Sequence, residues 1–404
     1  MLRLLRVMRD HKSYRELSLV SLVSFLFGII YGLFSFYLPI FVEDIVKNIA
    51  LAGVFLALVE VAGLLFDLPI GAFTDRYGRR RTILLGALLL ALAALFFEAW
   101  QTILGLAVTL IFYGIVIEFI IIANDAELMA VSPRRRSGRF FGIYEALHNF
   151  GYSIGPFIGG VLLAFANPPV FWALIILCLL LFFFVLFFME KRELKHGSMI
   201  ETAGAVIKKD HFFESSIREF KKIGIEGWLL SLFYFTFAFR WGAIALLVPI
   251  FALRLGLDPL WVGAIYGAST LPFLFVSPLA GIFTDRYGIK PAIVFSLFLM
   301  GSATFLFGTT GNPYVLFAYA FIAAIGDAIL VPTILAGFDT LSSRHFKGRI
   351  SSVVNVVEDL GYLTAPLIAG FLAHFLGFAT AFSIFGSFIL AVTIVSIFVR
   401  ITRH

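Results

Sequence analysis

The sequence predicts an all-α integral membrane protein, with twelve transmembrane helices in two six-helix bundles related by a pseudo-twofold axis. Three observations predict it. Hydrophobic residues make up 61% of the 404 and charged ones 14%, against roughly 45–50% apolar usage in soluble domains; the mean hydropathy is +1.00. The apolar residues fall into twelve runs long enough to cross a bilayer. The charged stretch Gly71-Ala-Phe-Thr-Asp75-Arg76-Tyr-Gly78-Arg79, wedged between two of those runs, returns 210 residues later as Gly281-Ile-Phe-Thr-Asp285-Arg286-Tyr-Gly288.

A bilayer core about 30 Å thick needs roughly 20 apolar residues per helix. Such runs occupy 17–42, 49–74, 82–99, 102–130, 138–165 and 169–189 in the first half of the chain. The second half has 227–253, 259–284, 291–310, 313–341, 348–376 and 378–399. Each must be a helix, because lipid leaves backbone groups unsatisfied and the alternation of a barrel strand is missing. Spans 1 and 7 carry Pro39 and Pro249, and spans 2 and 8 end in the two charged turns. Spans 3, 6, 9 and 12 hold no ionisable residue in their interiors, although Glu98 ends span 3, as expected of outer helices facing lipid. Spans 4 and 10 carry Glu118 and Asp327, and spans 5 and 11 are rich in small residues.

Of 31 Lys and Arg residues, all but Lys47, Arg240 and Arg254 lie in the two tails or in the connections after the even-numbered spans. That bias predicts cytoplasmic termini and a plasma-membrane protein. It also disposes of the net charge of +6 as a nucleic-acid surface, because the charge is divided among segments on one side of a membrane. Residues 1–16 carry five basic residues without an apolar core and cleavage site, so they do not read as a signal peptide. Cys178 is the single cysteine, which excludes an intrachain disulfide.

The polar stretch 190–226 divides an N-terminal bundle, 1–189, from a C-terminal bundle, 227–404. Within it Phe213, Ile217 and Phe220 share a helical face, which suits either a short interfacial helix or a tethering loop. The offset that aligns the charged turns also pairs Pro39 with Pro249, Gly138 with Gly348, Gly151 with Gly361, Pro156 with Pro366 and Gly160 with Gly370. Parallel six-span repeats place a pseudo-twofold axis along the membrane normal and a site between the halves near mid-membrane.

The stretch Gly71 to Arg81 resembles the loop-2–3 signature of the major facilitator superfamily, with the weaker copy in loop 8–9 that the family usually has, and the span layout resembles that family over essentially the whole chain. The resemblance implies a cytoplasmic gating motif of Gly71, Asp75, Arg76, Gly78, Arg79, Asp125, Asp285 and Arg286. Its chemistry can be stated independently. Asp75 is expected near the N-terminus of span 11, around Lys347 to Ile350, where a carboxylate meets a helix dipole for about 0.3–2 kcal/mol. Gly71 permits close helix approach, Gly78 a tight turn, and Arg76 and Arg79 can pair with Asp125 or Glu127. Such contacts hold only when that side is closed and so bias a bistable structure.

Span 5 carries Gly142, Gly151, Gly155-Pro156 and Gly159-Gly160, a pattern similar to that of the family's drug/proton antiporters. A glycine face with one proline bends and packs tightly, here expected against the opposite half. The chain departs from those antiporters in span 4. Their arginine, four residues before a glycine, is Leu110 here relative to Gly114, and Glu118 stands nearby instead.

Ionisable residues inside a membrane are costly and default to functional candidates. Glu60, Glu118, Arg240 and Asp327 fall near mid-span; Asp67, Glu145, His148, Glu358 and Asp359 fall towards the cytoplasm. In the resembling fold spans 1, 4, 7 and 10 line the cavity, so Glu118, Arg240 and Asp327 are expected to converge, with Arg240 paired to Asp327 or Glu118. Glu145 and His148 share a face of span 5, and His148 and Glu358 are repeat mates expected to meet near the axis. Tyr31, Phe34, Phe36, Tyr37, Tyr113, Tyr234, Phe237 and Trp241 are candidate aromatic lining for a lipophilic cation.

The expectation is a monomeric secondary transporter working by alternating access: proton-coupled efflux of a small amphipathic or cationic compound. One proton moving down about 120 mV supplies about 2.8 kcal/mol, enough for a hundredfold uphill gradient at about 2.7 kcal/mol. Uptake, lipid or metabolite transport on the same fold, and a membrane sensor without flux, are the alternatives. No nucleotide-binding loop, HExxH site or paired-cysteine site is present in the sequence, so no enzyme activity, metal or other cofactor is expected.

Overall fold

The computed structural model describes residues 2–132, 137–165, 169–189, 220, 223–341 and 347–398, with side chains described outside 2–13, 137–141, 285, 339 and 347–352. The proposed helix or loop around Phe213 and Ile217 lies outside these residues. All twelve expected spans are helices. In the N-terminal half they are Leu2–Val46, Ile49–Tyr77, Arg79–Ala99, Ile103–Val131, Ser137–Leu163 and Val170–Phe188. In the C-terminal half they are Gly224–Arg254, Pro259–Ala268 with Phe273–Tyr287, Ile289–Phe307, Pro313–Leu341, Lys347–Leu376 and Phe378–Phe398. Among the described residues eleven are long and apolar enough to cross a membrane; the fifth, the glycine-rich one, is not among them.

Local chemistry sets the boundaries. The Asn48 side chain accepts from Ala50 and Leu51 at the start of span 2. Thr102 does the same for Gly105 in span 4, and Asp258 caps span 8 ahead of Pro259. These are the residues that satisfy orphan N–H groups and tolerate a missing one. Spans 2 and 3 meet at Gly78 with φ 90°, spans 8 and 9 at Gly288 with φ 93°. A side chain there would be strained, so the recurrence of glycine in both charged turns has a backbone cause.

Span 8 departs from the single helix expected. It breaks across residues 269–272, where Pro272 supplies no N–H. The Gly267 carbonyl keeps the Leu271 amide as its helical partner and also accepts from that of Thr270, both at 3.1 Å, and from Ser153 Oγ of span 5 at 3.3 Å.

Within the halves span 1 packs on span 5 and span 7 on span 11; between them span 2 meets span 11 and span 5 meets span 8. Four of the inter-half contacts are glycine crossings at the end that holds the 1–2 and 7–8 connections, called here the far end; the opposite, basic end holds the charged turns. A Cβ on Gly53 would strike the Pro366 carbonyl, and one on its mate Gly263 the Pro156 carbonyl. A Cβ on Gly370 would lie 2.6 Å from the Ile49 carbonyl, and one on Gly160 2.7 Å from that of Pro259. The four contacts form two pairs under the 210-residue offset, which makes the pseudo-twofold axis a property of the structure as well as of the sequence. Arg254 and Glu43 bridge the halves at the same end, 2.5 Å apart. At the basic end Gly71, Gly142 and Gly281 have nothing of another described helix within 4 Å of a would-be Cβ. The far end is shut, and at the basic end these three glycines hold no such crossing among the described residues.

Candidate functional site

Between the halves lies a cavity of about 170 Å³. Span 2 contributes Glu60, Gly63 and Asp67, spaced i, i+3, i+7 along one helical face. Span 11 contributes Asp359, Tyr362 and Pro366 at the same spacing, facing it. Span 4 adds Tyr113 and Glu118, and a Cβ on Gly63 would sit 3.2 Å from Glu118 Oε1, so the glycine makes room for that carboxylate. Tyr31, Tyr152 and Trp241 complete an aromatic wall, Tyr152 meeting Tyr31 edge-on at 5.4 Å and Trp241 at 6.2 Å. Glu118 lies within electrostatic reach of Asp67, Glu60 and Asp359. No Lys or Arg lines the cavity among the described residues.

Arg240 and Asp327 are not part of it, which corrects the expected convergence with Glu118. Arg240 Nη1 and Asp327 Oδ2 are 2.5 Å apart, with side chains 3% and 0% exposed, and Arg240 Nε donates to Thr304 Oγ1 at 3.0 Å. The pair ties spans 7, 9 and 10 together inside the C-terminal half. Neighbours on a helix point about 100° apart; Trp241 faces the cavity and Arg240 therefore faces span 9. Thr304 had no signal in the sequence beyond being polar in an apolar run.

His148 and Glu358 do not meet either. His148 Nδ1 is 3.2 Å from Ser24 Oγ of span 1, and Glu358 lies beside Tyr234 of span 7. Ser24 and Tyr234 are themselves 210 residues apart, so each mate binds its own half. Glu145 is exposed, within electrostatic reach of Asp125 and Glu358. Of the other aromatic candidates, Phe34 packs on Tyr113 and Phe97, Tyr37 on Phe41 and Phe171, and Tyr234 stacks on Phe237. Phe36 fills the space left by Gly159.

In the basic-end motif Arg79 Nη1 reaches Glu127 Oε2 at 3.2 Å; both lie in the N-terminal half, so the pair forms without closing the basic end, which corrects the expectation that it holds only when that side is shut. Asp125 accepts instead from the Tyr144 hydroxyl at 2.7 Å. Arg76 and its mate Arg286 each lie over the next tyrosine, at 5.3 and 5.4 Å. Asp75 is exposed and makes no hydrogen bond or ion pair among the described residues; the Asp285 side chain lies outside them. The span-5 glycines divide between the two halves: Gly151, Gly155 and Gly159 pack on span 1 of their own half, and Gly160 beside Pro156 makes the expected packing across the interface. Gly151 and Gly155 receive the span-1 backbone at Phe25 and Ile29, while Gly160 and the Pro156 carbonyl face span 8.

The described helices form two six-helix halves around one polar cavity, the arrangement of a multi-pass membrane carrier. The model of the Major Facilitator Superfamily matches residues 20–269 and again 230–404. The chain belongs to that superfamily and is a secondary transporter. It is 25% identical to multidrug resistance protein MdtG of Salmonella typhimurium over 389 residues, covering 92% of this chain and 91% of that one. It is 23% identical to an uncharacterized MFS-type transporter of Methanocaldococcus jannaschii over 362 residues, 87% of this chain and 89% of the relative. Among solved structures, a POT family transporter bound to 5-aminolevulinic acid superposes with a TM-score of 0.72 at 16% identity, covering 95% of each chain. The nucleoside transporter NupG does so with a TM-score of 0.74 at 10% identity, covering 95% and 98%. These likenesses establish the fold.

Proposed function

We propose that the protein exchanges protons for a small amphipathic cation, exporting it by alternating access. The observation that carries this reading is the cavity of Glu60, Asp67, Glu118 and Asp359, aromatic-walled and without a basic residue among those described. Like charges this close in a low-dielectric site repel strongly, so protons or a cationic guest must neutralise them. Exchanging one neutraliser for the other is antiport. The aromatic faces add attraction for a desolvated cation. With the far end shut, the cavity is loaded from the basic end, which the distribution of Lys and Arg assigns to the cytoplasm; both termini then lie there too. The multidrug resistance relative agrees with export of this class. The test is a proteoliposome carrying a pH gradient. Tetraphenylphosphonium dissipates that gradient with wild-type protein and fails to with E118Q. Equal dissipation by both proteins sinks the reading.

A further inference from the structure

Arg80 and Lys290 are mates under the 210-residue repeat, and the two halves treat them differently. Arg80 covers the end of span 6, its Nη2 donating to the Leu186 carbonyl at 2.6 Å and its Nε to that of Val185 at 3.4 Å. Lys290, in the first turn of span 9, makes no hydrogen bond or ion pair among the described residues. It borders instead an outward-facing groove of about 480 Å³ between spans 9 and 12. Val294, Phe295 and Phe298 form one wall and Ile397 the other, and the last three are 44%, 54% and 49% exposed.

We infer that this groove binds an acidic phospholipid, its phosphate at Lys290 and one acyl chain along Val294, Phe295 and Phe298. The polarity of the groove matches that molecule end to end. Its one charged residue is a cation at the basic end of the helix, and the rest is apolar over a rise of about 12 Å. Exposed Arg286, four residues earlier, adds a second positive charge on the same side. Spans 9 and 12 are outer helices whose surroundings are lipid, and a lysine at the edge of a bilayer attracts anionic headgroups within a Debye length. A second copy of the chain would bring an apolar face and leave Lys290 without a counter-charge.

The proposal stands apart from the transport reading and is tested without flux. Full-length protein in detergent is incubated with phosphatidylglycerol or phosphatidylcholine of the same chains, and bound lipid is read by native mass spectrometry. Wild type retains phosphatidylglycerol about fivefold over phosphatidylcholine, the equivalent of about 1 kcal/mol for one lysine. K290Q abolishes the preference and K290R keeps it. V294W, which fills the groove, lowers retention of both lipids, while thermal melts of all variants show the fold intact. Equal retention of the two lipids by wild type, an undiminished preference in K290Q, or a lipid-free dimer would overturn the assignment.

Discussion

Gly53 of span 2 lies against the carbonyl oxygen of Pro366 in span 11, with no room for a methyl group between them. The same approach recurs between Gly263 and Pro156 in the other pair of helices, so the far end is closed twice by one device. Overfilling a packed contact costs about 1–3 kcal/mol. Gly53→Val and Gly263→Val are expected to populate a state open at the far end. An impermeant thiol reagent added from that side should label a cysteine placed at cavity residue Ser35 roughly tenfold faster in either variant, the change about 1.4 kcal/mol produces. Unchanged labelling would mean that these glycines do not hold the closure.

The bridge between Glu43 and Arg254 should act in the same direction with smaller force. It is partly exposed, at 21% and 50%, and such pairs are worth about 0.2–1 kcal/mol. E43R should accelerate far-side labelling about threefold to fivefold by setting two cations together, and the charge-swapped E43R/R254E should return it to the wild-type rate. A swap that stays fast would show that the pair is incidental.

Inside the C-terminal half, Arg240 and Asp327 sit where the repeat places Ile30 and Ile117 in the N-terminal half. Removing one partner of a buried pair leaves a stranded charge, at about 3–5 kcal/mol. D327N should therefore lower the melting temperature sharply in detergent. R240I/D327I, which copies the other half, should melt within a few degrees of wild type. A double variant as unstable as the single one would show that the pair supports more than packing.

The cavity acids separate from the acids beside them. E60Q and E118Q are expected to reduce proton-coupled flux of a lipophilic cation at least tenfold. E358Q, which lies off the cavity beside Tyr234, should stay within about threefold of wild type, the change about 0.65 kcal/mol produces. Initial rates of gradient dissipation decide it, and the order E358Q below E118Q would overturn the assignment of the cavity.

The spans, their ends and the repeat were legible because each rests on a local property: a run of apolar residues, a capping Asn48 or Thr102, a glycine at positive φ. Helix facing was not. Spans 4, 7 and 10 are apolar around most of their circumference, and such a helix carries no stripe to show which side meets which neighbour. Hence the expected convergence of Arg240 and Asp327 with Glu118 fails although the Arg240–Asp327 pairing itself forms, and the expected site includes Glu358 and leaves out Asp359, whereas Asp359 lines the cavity and Glu358 does not. One facing signal was present. Glu60, Gly63 and Asp67 repeat at two-turn spacing, as do Asp359, Tyr362 and Pro366, and both triplets meet at the cavity.

The break in span 8 falls at Thr270, the repeat mate of Glu60, where span 2 continues as an unbroken helix. One ancestral segment has thus become a joint in one copy and an ionisable wall in the other. Neither half can stand in for its twin. A molecule assembled from two first halves would gain a second acid and lose its elbow, and one built from two second halves would bend twice with nothing there to titrate.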